Sequence, residues 1–177
     1  IIHRLGKAAE FRDNETGLHI IRMSHYSKML AAEIGATPSW CELLFNASPM
    51  HDIGKIGIPD AIFFFFVKLT EDERNIMQQH TIYGSEIIGD DADPLLTMAK
   101  EIALNHHERW DGKGYPHGIG QKIIPLSARI ASIADVFDAL TSERPYKSAW
   151  STEDAFTYLI EGAGQQFDPE LVDVFIN

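Results

Sequence analysis

The chain of 177 residues contains a single cysteine, Cys41, too few for a disulfide framework or a thiolate zinc cage. Basic residues are also scarce. Fifteen Lys and Arg face 26 Asp and Glu, leaving a formal net charge of −11. That balance argues against a general electrostatic grip on duplex nucleic acid or on an anionic membrane. No apolar run reaches the ~18 to 20 residues that span a bilayer, and no signal-peptide pattern opens the chain. Internal repeats and low-complexity linkers are missing too. The expectation is one soluble, cytoplasmic domain over residues 1–177, with no membrane contact from this segment. Both ends are abrupt, which suggests the output domain of a longer signalling protein with a sensor or receiver part upstream.

Alternating strand patterns are equally lacking, and helical periodicity fills most of the chain. Leu18, Ile21, Met29, Leu30 and Ile34 recur at three- and four-residue intervals up to a stop at Gly35. Thr37-Pro38 opens a second helix as N-cap and first-turn proline. Thr70 with Glu73 forms a capping-box pattern ahead of Ile76, Met77 and His80. Further starts fall at Asp93-Pro94, with a helix to about His106, and at Pro125-Leu126, Ser151 and Asp168-Pro169. Residues 108–122, with four glycines, predict a loop. The fold class expected is an all-α bundle.

What the chain has in excess is histidine, eight in all, several beside acids or each other. Glu15 and His19 lie four apart and share a helical face if the helix begins before Gly17. His51 and Asp52 are adjacent, about 100° apart if helical, which suits one residue ligating a single ion while its neighbour bridges two. His106 and His107 close their helix just before the glycine loop. His80 and Asp135 complete the candidates, the latter an acid among Ile133, Ala134, Val136 and Phe137. A charge in such surroundings needs a partner or a metal. Imidazole with carboxylate and no thiolate favours iron, manganese or zinc. Eight ligands exceed what one ion with room for water needs, and suit two or three divalent ions sharing a carboxylate. His3, His25 and His117 read as surface or satisfied core groups.

These residues carry a resemblance. His51-Asp52 within "HDIGKIGIPD", and "HHERWDGKGYP" with Gly114-Tyr115-Pro116, resemble the HD-GYP family of cyclic dinucleotide phosphodiesterases. The likeness extends to "RDNETGLH" at 12–19, "IPLSARIASIADVFDALTSERPYK" at 124–147 and "QFDPELVDVF" at 166–175. It implies a five-to-seven-helix HD-superfamily bundle with a di- or trinuclear centre, usually of iron or manganese. The implied ligands are His51, Asp52 as bridge, His80, His106, His107 and Asp135, with Glu15 and His19 completing or extending the set. The implied reaction is hydrolysis of cyclic di-GMP to pGpG, in some members on to GMP, by attack of a metal-bridging hydroxide.

Around that centre, Lys55, four residues after His51, is a candidate to hold a phosphate oxygen and offset developing charge. By resemblance Arg144 and Lys147 hold the second phosphate. Tyr115 and Trp110 are candidates to stack on a guanine. Alternatively the glycine loop is a docking surface, since the family's GYP segment has been linked to diguanylate cyclase (GGDEF) domains. Another HD-superfamily nucleotide phosphohydrolase and a catalytically silent signalling module are the competing readings. One stretch departs from the family pattern: Phe63-Phe64-Phe65-Phe66 stands where a turn is usual. The run is either an interface to another domain or to a second subunit in a homodimer, or an accident of this sequence.

Overall fold

The structure is a computed structural model that describes Gly6 and residues 18–63, 69–143 and 148–177. The expectations for Glu15, Phe64 to Phe66, Arg144 and Lys147 lie outside these residues. Among the described residues every regular element is helical, and the one β-type pairing is an isolated bridge between Ala163 and Phe167. The all-α expectation holds, with more pieces than expected. The α-helices are α1 (Leu18–Glu33), α2 (Pro38–Ala47), α3 (Asp60–Phe63), α4 (Glu71–Gln78) and α5 (His80–Ile88). They continue with α6 (Pro94–Asn105), α7 (Leu126–Thr141), α8 (Thr152–Gly162) and α9 (Pro169–Ile176). Short 3₁₀ turns cover Ser48–Met50, Ile53–Gly57 and Gln121–Ile123.

The starts are where the capping residues place them. Thr37 accepts from the Trp40 amide, Asp93 from Leu95 and Leu96, Ser151 from Asp154 and Asp168 from Glu170. Thr70 and Glu73 make both halves of the capping box. Each such cap contributes on the order of 1 kcal/mol. α1 ends in a Schellman arrangement, with Gly35 at φ +82° and the Ala36 amide bonded to the Ala31 carbonyl at 3.0 Å.

One core holds the bundle. Met23 and Leu30 of α1, Leu44 of α2, Met98 and Ile102 of α6, and Ile130, Ile133 and Phe137 of α7 are buried together. Leu159 of α8 and Leu171 of α9 close it from the far side. Ala31, Ala47, Ala99, Ala131 and Ala134 are all completely buried within it. Small side chains shorten the distance between packed helices. α1 and α7 therefore pack closely enough for His19 and Asp135 to come together.

Two local expectations need correction. The periodic stretch from Thr70 through His80 is not one helix. It breaks at Gln79, whose amide turns back to the Ile76 and Met77 carbonyls, and His80 begins α5. His51 and Asp52 are not on a helix face either. They form the turn between the 3₁₀ pieces Ser48–Met50 and Ile53–Gly57, with Asp52 at φ −103° and ψ 11°. Both changes serve the same end, as the ring contacts below show. The second 3₁₀ turn lies directly on α5. A Cβ on Gly54 would stand 1.8 Å from the His80 carbonyl oxygen and 2.3 Å from the Gly84 nitrogen. Only a residue without a side chain allows that approach.

Candidate metal centre

A helix leaves its last carbonyls without intrahelical partners. His51 follows the Ser48–Met50 turn, His80 follows α4, and His106 caps α6. Each ring turns back onto a carbonyl of the element just ended. Nδ1 of His51 lies 3.0 Å from Ser48 O, that of His80 2.7 Å from Met77 O, and that of His106 3.0 Å from Ile102 O. A carbonyl only accepts, so Nδ1 carries the proton in all three rings and Nε2 presents a lone pair. His19, the second residue of α1, reaches the same state through Asp138, which accepts from its Nδ1 at 2.8 Å. An acceptor on the far nitrogen is the usual means by which a ligating imidazole is oriented and made more basic.

The freed nitrogens converge on carboxylates. Asp52 Oδ1 is 3.4 Å from His80 Nε2 and 3.6 Å from His106 Nε2, while its Oδ2 is 3.2 Å from His51 Nε2. Asp135 Oδ1 is 3.3 Å from His19 Nε2 and 3.9 Å from His51 Nε2. Two groups result, Asp52 with His80, His106 and His107, and His19 with His51 and Asp135. The two oxygens of Asp52 face different histidines, His80 and His106 on one side and His51 on the other. That is the arrangement expected of a bridging carboxylate.

The donor set fits divalent ions. Nε2 of His51, His80 and His106 and Oδ1 of Asp52 are buried with no hydrogen-bond partner. Leaving such an atom unsatisfied costs roughly 1 to 3 kcal/mol, and four that face one another call for a ligand. Their mutual spacing is also that of atoms sharing an ion. Two ligands at about 2.1 Å from one metal stand about 3 to 3.4 Å apart. Seven of the eight expected ligands (His19, His51, Asp52, His80, His106, His107 and Asp135) are thus brought together, and Glu15 lies outside the described residues.

Electrostatics keep these donors ready for a cation. Burial would raise Asp52, but the Lys55 ammonium, with Nζ 2.7 Å from Oδ2, and His51 hold it well below the usual carboxylate range. Asp135 is likewise low despite burial, held by His19 and His51. Burial pushes His80 down to about 4 against the pull of Asp52. His107 is pushed well down by burial and by His106 and His80. His51 runs the other way, because Asp52 and Asp135 outweigh its burial.

A pH dependence follows for metal-free protein. His80 charges near 6.5 when unfolded but only near about 4 when folded, so its contribution is complete above pH 6.5 and is lost as pH falls toward 4. The depressed Asp52 and Asp135 lose theirs at still lower pH, through their folded values. His51 opposes the trend, its contribution fading as pH rises through its raised value. We expect the melting temperature of chelator-treated protein to fall steadily from pH 6.5 to 4. A flat profile over that window would contradict the assignment of His80 as a buried neutral imidazole.

Lys55 is next to Asp52, as an i,i+3 pair across the 3₁₀ turn. Tyr115 is half-buried. Its ring lies on His107, with centroids 4.7 Å apart and planes at 24°. Sequence reasoning missed Asp138, almost fully buried, which binds His19 and receives Nε and Nη2 of Arg22 at 2.5 and 2.9 Å. The signal was present, since Asp138 stands among Val136, Phe137 and Leu140 as Asp135 does, one helical turn further on.

Fold and site together define a class: a helical bundle whose helix ends assemble a two-group histidine–aspartate metal centre. Residues 5–171 match the family described as HD domain. The chain belongs to the HD domain family, and its His51-Asp52 and Gly114-Tyr115-Pro116 are the motifs that carry the HD-GYP resemblance. It is 43% identical over 175 residues to the "Cyclic di-GMP phosphodiesterase response regulator RpfG" of Xanthomonas campestris pv. campestris, covering 99% of this chain and 46% of the relative. It is also 43% identical over 176 residues to the "3'3'-cGAMP-specific phosphodiesterase 2" of Vibrio cholerae, covering 99% and 34%. The chain spans less than half the length of the curated relatives it matches. Among solved structures, a cyclic GMP-AMP specific phosphodiesterase of V. cholerae superposes with a TM-score of 0.75 at 20% identity, over 99% of this chain and 46% of that one. An HDG"Y"P protein of Bdellovibrio bacteriovorus gives 0.68 at 20%, over 89% and 50%. Both share the fold. Among the described residues no helix is long and apolar enough to cross a membrane.

Proposed function

We propose that this chain is a metal-dependent phosphodiesterase that opens cyclic di-GMP to linear pGpG, adding one water across a P–O3′ bond, in the cytoplasm. The observation that carries this is the convergence of buried, partnerless Nε2 and carboxylate atoms on Asp52. Divalent ions, iron or manganese, would be held by these atoms and would supply acidified water and offset the charge of the non-bridging phosphate oxygens. The chain's own residues do the rest. His51, His80 and His106 hold lone pairs inward because their Nδ1 protons are engaged by carbonyls. Asp52 and Asp135 stay ionised and supply negative charge to the cations. Lys55, one-fifth exposed, keeps Asp52 oriented and places positive charge beside the site. Arg144 and Lys147 grip the phosphate that is not cleaved. The relatives' names include 3',3'-cGAMP at the same 43% identity, so that dinucleotide is the second reading. Docking of a diguanylate cyclase domain on the glycine loop belongs to the same proposal.

The test is protein purified without air, assayed for metal by elemental analysis and for hydrolysis of cyclic di-GMP, 3',3'-cGAMP and bis(p-nitrophenyl) phosphate. Metal in fresh protein, turnover of a cyclic dinucleotide and loss of both stability and turnover on chelation support the proposal. Protein free of metal, whose melting temperature ignores the chelator, refutes it. Arg144→Ala with Lys147→Ala removes two charge-assisted bonds of roughly 1.5 to 3 kcal/mol each. KM for the cyclic substrate should rise by about two to four decades with metal content unchanged. The small diester, having no second phosphate, should react almost normally.

A further inference from the structure

Four histidine rings of the centre are set by a hydrogen bond at Nδ1, and His107 differs. Among the described residues, neither of its ring nitrogens takes part in a hydrogen bond. Its orientation comes from packing instead. Tyr115 covers it almost face to face, and the rings of His106 and His80 stand at 4.0 and 5.1 Å from it.

Tyr115 is in turn tied down at several points. Its amide donates to the His107 carbonyl at 3.2 Å. Gly114 lies so close to the chain at 107–109 that a Cβ would stand 2.4 Å from Arg109 N, 2.5 Å from His107 O and 2.6 Å from Glu108 Cα. The His117 amide donates to Glu108 Oε1 at 2.7 Å, and Glu108 is 3% exposed. Residues 114–117 thus form a strap laced to the backbone and side chains that carry His107.

The geometry points to Tyr115 as a positioning residue, whose ring, held by the Gly114–Glu108 strap, aims His107 at the ion shared with Asp52, His80 and His106. This rests on reading the cluster as a metal centre. It assigns the aromatic ring a task inside the protein, where the sequence suggested a platform for guanine. The hydroxyl is dispensable to that task, and the flat ring is not.

Cobalt(II) titration of the full chain, followed by equilibrium binding and by the visible spectrum of the bound ion, tests it. Tyr115→Phe should bind two equivalents as the unaltered chain does, with the same spectrum. Tyr115→Leu should bind one equivalent normally and the second 10- to 100-fold more weakly, the loss typical when support to a ligand is removed, with an altered spectrum. Glu108→Ala, which unties His117 but keeps the ring, should give the same selective loss, and Glu108→Gln, which retains an acceptor oxygen, should restore it. If Tyr115→Leu and Glu108→Ala both bind two equivalents normally with unchanged spectra, the positioning role is overturned, and a KM effect alone would assign Tyr115 to the substrate. If the unaltered chain binds no cobalt, the metal-centre reading itself fails and the positioning role falls with it.

Discussion

Asp52→Ala should eliminate turnover and empty both halves of the centre while the bundle stays folded. The carboxylate is the junction of the site. Oδ1 faces His80 and His106, and Oδ2 faces His51 and Lys55. Alanine therefore takes the only carboxylate from the group of His80, His106 and His107, and with it the oxygen that faces His51 of the other group. Metal assistance to hydrolysis is worth several kcal/mol, and each 1.36 kcal/mol is a decade of rate. A fall in kcat of at least about 10³-fold follows. Stability offers an independent readout. A ligand present at about 100 times its Kd adds roughly 2.7 kcal/mol to the folded state, so the rise in melting temperature on metal loading should vanish in the variant. Asp52→Asn, which keeps one weakly ligating oxygen, should retain part of that rise and little of the turnover. Normal metal content with normal kcat in Asp52→Ala would remove Asp52 from the mechanism.

The residues of the centre were legible because chemistry restricts which side chains can hold an ion, and adjacent pairs such as His51-Asp52 and His106-His107 are hard to explain otherwise. Helix starts were legible for a similar reason, since Thr70, Asp93, Ser151 and Asp168 each satisfy an amide within three residues of themselves. Two features were not. The 3₁₀ turns around His51-Asp52 and the break at Gln79 leave the hydrophobic period nearly unchanged, so periodicity passes over them. Those interruptions are nonetheless what supply the Ser48 and Met77 carbonyls to the histidine rings. The packing of Tyr115 on His107 was hidden because stacking is symmetrical in kind: nothing in a sequence tells whether an aromatic face meets a base or a neighbouring ring. The role of Gly54 was equally hidden, since its partners His80 and Gly84 are 26 and 30 residues away.

Gly54→Ala should be the most damaging single-methyl change available near the centre. The added carbon would lie 1.8 Å from the His80 carbonyl oxygen, 2.8 Å from its carbon and 2.3 Å from Gly84 N. All are backbone atoms, so no rotamer change relieves the clash. The 3₁₀ turn and α5 must separate by ~1 Å or more to restore ordinary contact. Overpacking of this kind costs typically 1 to 3 kcal/mol and occasionally more. At about 3 kcal/mol, a domain of this size should melt roughly 6 to 12 °C lower. The separation also acts on the site, because Asp52 is two residues before Gly54 and His80 is the residue struck. Their 3.4 Å approach opens, and a misplacement near 1 Å costs about 10²-fold in rate. Gly84→Ala isolates the cause. Its Cβ would meet the Ala103 methyl at 3.2 Å and Gly54 N at 3.4 Å, a much milder crowding. It lies inside α5, where alanine gains roughly 0.8 to 1 kcal/mol of helix propensity over glycine. The two effects nearly cancel, so Gly84→Ala should keep its metal and melt within a few degrees of the unaltered chain. If Gly54→Ala binds metal and melts as Gly84→Ala does, the 3₁₀ turn does not rest on α5, and the joining of His51-Asp52 to His80 must be attributed to other contacts.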